Sequence, residues 1–353
     1  MAEEDCELNE KRKREIAKWF LLNSPAGEIQ YIAKDLRSVL NDEKAYNEAA
    51  LEAFPLYNKS HFICLELPDR SGEVLVTSYN ELDENEFLDP RTAQVAIVDH
   101  VKQVCTEMRP TADEELSSPY IEEFRCALDA EILKYVAEAY PKGICSVYCV
   151  KGKDVEGPGS NFELVVVISA VRNSPQNFCN GSWRSLWNIE FKEDVQMLEV
   201  RGELQVGAHY FEEGNVQLDA KHECKDATIF QAPDDCAISI ANIIRHHEAQ
   251  YLESLEASYS NLPDTTFKRK PLVWGRTWKG KMVRREVVAR WFPMKLILQE
   301  TCDSSTNFLT FIHTNRPGSF TLLLASSRKN GLFFMGSWGV KVMITTKLRP
   351  LSD

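Results

Sequence analysis

The sequence predicts an α+β fold: an N-terminal helical bundle, a central antiparallel β-sheet meander and a long C-terminal helix packed across the sheet. Three observations predict it. Apolar residues recur at helical spacing in three short stretches before residue 56. From residue 144 to about 220 the period becomes that of alternating strands with brief turns between them. The run Cys236 to Tyr259 then returns to helical spacing, with an apolar face wider than an ordinary amphipathic stripe. These changes divide the chain into a bundle over 1–56, a sheet-containing region over 57–233 with helices at about 91–140, the long helix over 234–262, and a basic tail over 263–353.

Each element has a local reason. Lys11 to Leu22, Ala26 to Leu40 and Asp42 to Phe54 read as the three helices, with Ser24-Pro25 and Asn41-Asp42 as start signals between them. Linked so tightly, they are expected to pack as an antiparallel bundle. The pattern changes after Pro55, and His61 to Leu67 and Glu73 to Tyr79 read as strands about the turn Pro68-Asp69-Arg70-Ser71-Gly72. Asp89-Pro90 reads as a helix start, giving helices over about Arg91 to Met108 and Ala112 to Tyr140, the second ended by Pro141 and Gly143. The strands that follow are Ile144 to Val150, Phe162 to Val171, Ser182 to Phe191, Val195 to Leu204, Val206 to Glu212 and Val216 to Ala220, with Ala227 to Gln231 as a further one. Short turns between neighbours imply an antiparallel meander.

At the centre of that sheet, Val206, Ala208 and Tyr210 alternate with Gly207, His209 and Phe211, and Glu212-Glu213-Gly214-Asn215 supplies a hairpin turn. Asp234 or Asp235 can cap the long helix, where Ile238, Ala241, Ile244, Leu252 and Leu255 share a face widened by Ile240, Ile243 and Tyr251. A face that broad needs cover on two sides. The sheet would supply one, and a second protein could supply the other.

A length of 353 residues with 27% charged and 44% apolar residues places the chain among soluble globular proteins. The start Met1-Ala2-Glu3-Glu4-Asp5 lacks a secretory pattern, and no apolar run approaches the roughly 20 residues that span a bilayer, so a cytoplasmic protein is expected. Ten cysteines scattered through apolar stretches read as free thiols rather than disulfides. Charge is divided unevenly: up to Phe267, 25 Lys and Arg stand against 49 Asp and Glu, and from Lys268 onward 16 stand against 4. An acidic body carries a basic tail.

Catalytic signatures are weak throughout. Gly152-Lys153 and Gly157-Pro158-Gly159-Ser160 lack the order of a phosphate loop, and Pro158 removes an amide that would cradle phosphate. His246-His247-Glu248 resembles a metal or catalytic cluster, yet neighbours on a helix point about 100° apart and do not converge. Cys145 and Cys149 have no second pair at zinc spacing, and His222 and Cys224 stand without partners. The reading is a binding protein, not an enzyme, with no cofactor and no metal. The tail lacks the interleaved aromatic and basic pattern of a nucleic-acid platform, so no nucleic acid is expected as a partner.

Several stretches, in order, closely resemble the alpha subunit of F-actin capping protein. They are Glu15 to Glu28, Tyr46-Asn47-Glu48-Ala49, Leu88-Asp89-Pro90-Arg91, Asn177 to Ser185, His209-Tyr210-Phe211-Glu212-Glu213-Gly214-Asn215-Val216, and Ile243 to Glu248. The resemblance is strongest to plant members and runs from about Glu15 to Lys268. It implies a heterodimer with a beta subunit that shares the sheet and helps cover the long helix, binding at the fast-growing (barbed) ends of actin filaments, and a place in the cytoplasmic actin cytoskeleton. It also implies a basic amphipathic tail that lies on the filament end and responds to acidic phospholipids.

In the family that tail continues from Phe-Lys into Leu-Arg-Arg. Here Phe267-Lys268 is followed by Arg269-Lys270-Pro271-Leu272-Val273-Trp274-Gly275, so Lys268, Arg269 and Lys270 are the surviving basic group expected nearest the filament. Lys281 to Phe292 could form a short basic helix in its place, and Thr301 to Asp353 resembles nothing in the family. A subunit that assembles with beta but caps weakly is the alternative reading.

Overall fold

The computed structural model describes residues 10–140, 142–157, 160–192, 197–211 and 215–262, together with 322–325, 332–335 and 343–345. Three helices open the chain: α1 (Glu10–Leu22), α2 (Ile29–Leu40) and α3 (Glu43–Ser60). Asp42 caps α3 by accepting the Ala45 N–H at 3.0 Å. Asn41, at φ 47°, ends α2 in the left-handed region and lets the chain reverse directly into that cap. The order is up, down, up, so α1 and α3 run in the same direction. Lys44 pairs with Glu10 at 3.4 Å, Arg14 with Glu48 at 3.2 Å and Lys18 with Glu52 at 2.7 Å, each pair one helical turn beyond the last.

Two sequence expectations are corrected here. Helix α3 continues through Pro55 to Ser60 instead of ending at Phe54. Proline forfeits one helical hydrogen bond, but the extra turn is held from outside. The Tyr57 hydroxyl donates to the Pro25 carbonyl at 2.8 Å, and buried Asn58 donates to the His100 carbonyl at 3.0 Å. The helix expected over Arg91 to Met108 is instead two strands of a small antiparallel meander: β3 (Glu81–Asp83), β4 (Glu86–Asp89), β5 (Gln94–Asp99) and β6 (Val104–Pro110). This sheet follows the hairpin of β1 (Ile63–Glu66) and β2 (Glu73–Val76).

The physical reason lies in the turns. Asp89 does not cap a helix; its carboxylate accepts the Arg91 N–H and the Thr92 hydroxyl and tightens a turn. Ala93 and Gln103 take positive φ at 51° and 54° and break any helical run at both ends of β5. Between them β-branched Val95, Ile97 and Val98 favour extended backbone.

Helix α4 (Pro119–Ala139) is capped by Ser118, and then comes the main sheet: β7 (Ile144–Lys151), β8 (Phe162–Ser174), β9 (Cys179–Phe191), β10 (Met197–Tyr210) and β11 (Asn215–Ile229). The five lie side by side in chain order, antiparallel throughout. Strand β10 does not break near Gln205, and β11 runs unbroken where two strands were expected. Polar residues that suggested a gap between them, such as Lys221, Glu223 and Lys225, are exposed and alternate along one strand.

One face of the sheet holds the main core. Leu164, Val166 and Ile168 of β8, Trp183, Trp187 and Ile189 of β9, and Leu198, Val200 and Leu204 of β10 all turn toward α4 and α5 (Pro233–Leu262). Val165 and Val167 face the other way, against Leu75 of β2 and Tyr148 of β7. Burial on both faces explains why β8 reads as an uninterrupted apolar run.

The breadth of α5 is also explained within this chain. Ile240, Ala241, Ile244, Tyr251 and Leu255 are buried, and α4 lies alongside α5 as a second cover besides the sheet. Ile238 remains 48% exposed. No described helix is long and apolar enough to cross a membrane. The described cysteines are free thiols: three buried, four half-buried, and Cys126 exposed.

Candidate functional site

The structure brings three distant segments together at one end of the main sheet. Glu28, just before α2, receives the Asn180 side-chain N–H at 2.5 Å on the same oxygen that lies 2.6 Å from His209 Nδ1. The other side of Asn180 accepts the Ser174 N–H at 2.9 Å and closes the β8–β9 turn. In that turn Phe178 takes positive φ at 52°, and its carbonyl accepts the Phe211 N–H at 2.9 Å. The two phenyl rings meet edge to face, and the His209 ring lies 5.1 Å from that of Phe211. Phe178 is 43% exposed and forms the outer wall of this corner.

Of the residues singled out from the sequence as a motif, His209 is buried at the corner and Phe211 packs beside it. Tyr210, Asn215 and Val216 are the closing residues of the hairpin, with Tyr210 paired to Val216. Glu212, Glu213 and Gly214 lie outside the described residues, as do Lys268, Arg269 and Lys270 and the segment Lys281 to Phe292. The corner therefore ties the end of β10 to the helical bundle through Glu28. Its groups are joined by hydrogen bonds around a single carboxylate, an arrangement that locks position.

The triplet His246-His247-Glu248 diverges. His246 is exposed, the Nε2 of half-buried His247 lies 3.1 Å from an Asp226 carboxylate oxygen, and Glu248 is fully buried. Glu248 accepts from the Ser185 hydroxyl at 2.6 Å, Trp187 Nε1 at 3.2 Å, the Tyr135 hydroxyl at 2.8 Å and the Tyr140 hydroxyl. Burial raises its pKa above the ordinary carboxylate value, although these donors pull the other way. Sequence reasoning treated the histidines as the feature of interest and missed this hub. The available signal was spacing, since Glu248 stands four residues after Ile244 and three before Tyr251, within the apolar face.

A second feature is the free side of β11. Among the described residues, Asn215, Val216 and Gln217 carry a further strand, Met343–Thr345. Among the described residues, 218–229 pair on one side alone, with β10. Nearby, Lys221 pairs with Glu203 at 2.7 Å and Lys225 with Glu199, so cross-strand charges fix the register of this edge. No three His, Cys, Asp or Glu side chains among the described residues converge as a metal site.

The sequence pattern that defines the F-actin capping protein alpha subunit matches residues 17–271. The F-actin-capping protein subunit alpha of Arabidopsis thaliana is 69% identical over 264 residues, which is 75% of this chain and 86% of that protein. The subunit of the same name from Dictyostelium discoideum is 34% identical over 265 residues, covering 74% and 91% of the two chains. Among solved structures, the homodimeric actin capping protein alpha subunit from Plasmodium berghei aligns with a TM-score of 0.61 at 23% identity, over 76% of this chain and 99% of that one.

Proposed function

The chain belongs to the F-actin capping protein alpha subunit family, and from that premise we propose that it pairs with a beta subunit and caps the fast-growing ends of actin filaments. The observation that carries the pairing is the edge of β11 that is open among the described residues, a stretch of twelve in which every second residue turns its N–H and C=O away from its own sheet. Such an edge is a template for a strand from another chain. Exposed Ile238 on α5 supplies apolar surface that a partner would cover. The role of the beta subunit is thus to extend the sheet, while α4 already covers the flank of α5.

Capping is binding, not catalysis: occupying the filament end blocks subunit addition and loss. The complex would act in the cytoplasmic actin cytoskeleton. Lys268, Arg269 and Lys270 are the basic group proposed to meet acidic actin, and acidic phospholipids would compete for the same charges.

A second reading is favoured by one observation, that the family pattern ends at residue 271, where the usual basic tail would continue. On that reading the subunit assembles with beta and caps weakly. Co-purification with a beta subunit followed by seeded actin elongation separates the two. Arrest of growth at stoichiometry with filament ends supports the capper; a stable heterodimer that leaves elongation running supports the weak-capping form; failure to form any heterodimer removes both.

A further inference from the structure

We propose that Asn180-Gly181 is a latent deamidation site whose reaction the folded corner suppresses, and that conversion of Asn180 to a carboxylate undoes the tie between the helical bundle and the main sheet. This inference does not depend on capping.

An asparagine followed by glycine is the pair most prone to lose its side-chain amide, because glycine carries no side chain to obstruct ring closure and turns freely about its backbone. Packing does not demand that glycine here. A Cβ at Gly181 would meet only the Gly207 carbonyl oxygen, at 3.6 Å, an ordinary contact. In the reaction the Gly181 backbone nitrogen attacks Asn180 Cγ, and the new C–N bond closes a cyclic imide. The bond from Cγ to the side-chain nitrogen breaks, and that nitrogen leaves as ammonia with the proton lost by the Gly181 amide. Water then adds to either imide carbonyl and opens the ring, giving aspartate or isoaspartate.

The fold holds this reaction back. Asn180 is 4% exposed. Both ends of its amide are engaged: the nitrogen donates to Glu28 at 2.5 Å and the oxygen accepts the Ser174 N–H at 2.9 Å, which fixes the group's orientation. Gly181 lies inside the sheet, opposite Arg172 of β8 and Ala208 of β10, and the extended strand turns its nitrogen away from Asn180 Cγ. Only a chain whose corner has opened presents the reactive geometry.

The product does not restore the corner. A carboxylate at position 180 has no N–H to donate, and it sets a negative oxygen against the Glu28 oxygen that the amide now meets at 2.5 Å. His209 lies on that same Glu28 oxygen and can balance at most one of the two charges. Isoaspartate also adds a methylene to the backbone and pushes β9 out of step with both neighbours. Each opening that ends in reaction is therefore irreversible.

The test is peptide mapping of the full chain by mass spectrometry after incubation at mildly alkaline pH, in buffer and in urea. The peptide holding Asn180 should convert roughly tenfold or more faster in urea than in buffer. Glu28→Ala, which opens the corner, should speed conversion in buffer and leave the rate in urea unchanged. Gly181→Ala should slow conversion in urea while melting close to the parent. Asn180→Asp reproduces one product and should melt below the parent. Combining it with Glu28→Gln should recover much of that loss, since an amide at position 28 donates where the carboxylate accepted. If Asn180→Asp fails to fold, the rates in the parent, Glu28→Ala and Gly181→Ala decide. Equal rates in buffer and urea, no conversion at Asn180 in either, or an Asn180→Asp chain as stable as the parent overturns the proposal.

Discussion

His209 of β10 and Glu28 at the start of α2 lie 2.6 Å apart although 181 residues separate them in the chain. Asn180 shares the same carboxylate oxygen, so one acidic side chain ties the helical bundle to two strands of the main sheet. Glu28→Ala removes the acceptor shared by buried Asn180 and His209 at once, with an expected loss of about 1–3 kcal/mol. Glu28→Gln keeps one oxygen as acceptor and should cost less. Urea unfolding of the two variants beside the parent checks the order; midpoints equal to the parent's would show that the corner contributes nothing.

Glu248 gives a pH signature. Its folded pKa is raised by burial, so the native state prefers the protonated acid more than the unfolded chain does. The stability linked to this group is fully present below the unfolded carboxylate value of about 4.3 and is lost as pH rises through the folded pKa. Glu248→Gln removes the titration while preserving shape, and the tyrosine hydroxyls can rotate to accept from its amide. The melting temperature of the variant should therefore gain on that of the parent as pH rises from the acid side, and an unchanging difference would contradict the assignment. Glu248→Ala should be worse at every pH, since it empties the hub of four donors.

These two sites show where the sequence was legible. The β10–β11 hairpin was readable because Val206 to Tyr210 alternate and the turn that follows is rich in acidic residues, asparagine and glycine. Glu28, Asn180 and His209 stood in separate motifs, but nothing local says that they meet; contact across 181 residues is a property of the packed fold. The strands over 94–110 were misread because Asp89-Pro90 is an equally good helix start and turn former, and the deciding positive φ at Ala93 and Gln103 occurs at residues that do not advertise it. Helix α3 passed Pro55 for the same kind of reason, since Tyr57 and Asn58 find partners outside the helix.

Gly202 is a packing requirement. It stands opposite Trp187 in the β9–β10 pairing, and a Cβ there would lie 2.4 Å from the indole and 2.7 Å from Cys224 Sγ. Trp187 is fully buried in the main core. Gly202→Ala should destabilise by about 1–3 kcal/mol through overpacking, despite the better strand propensity of alanine. Chemical unfolding monitored by tryptophan fluorescence measures this, and a neutral or stabilised variant would show that the neighbouring side chains shift freely.

Electrostatics decides between full and weak capping. The body up to Phe267 carries 49 acidic against 25 basic residues, so without a basic contact it would be repelled by an acidic filament. Each exposed ion pair is worth only about 0–1 kcal/mol, so if Lys268, Arg269 and Lys270 make the proposed contact, three adjacent cations would act mainly by speeding capture. Replacing all three with glutamate in the heterodimer should lower the rate of association with filament ends, most steeply at low ionic strength, where the Debye length is longest. Dissociation should change less, and assembly with beta, proposed to rest on the edge of β11, should persist. Single-filament elongation across a salt series reads both rates; a triple variant that captures ends as fast as its parent at low salt would move the filament contact off this basic group.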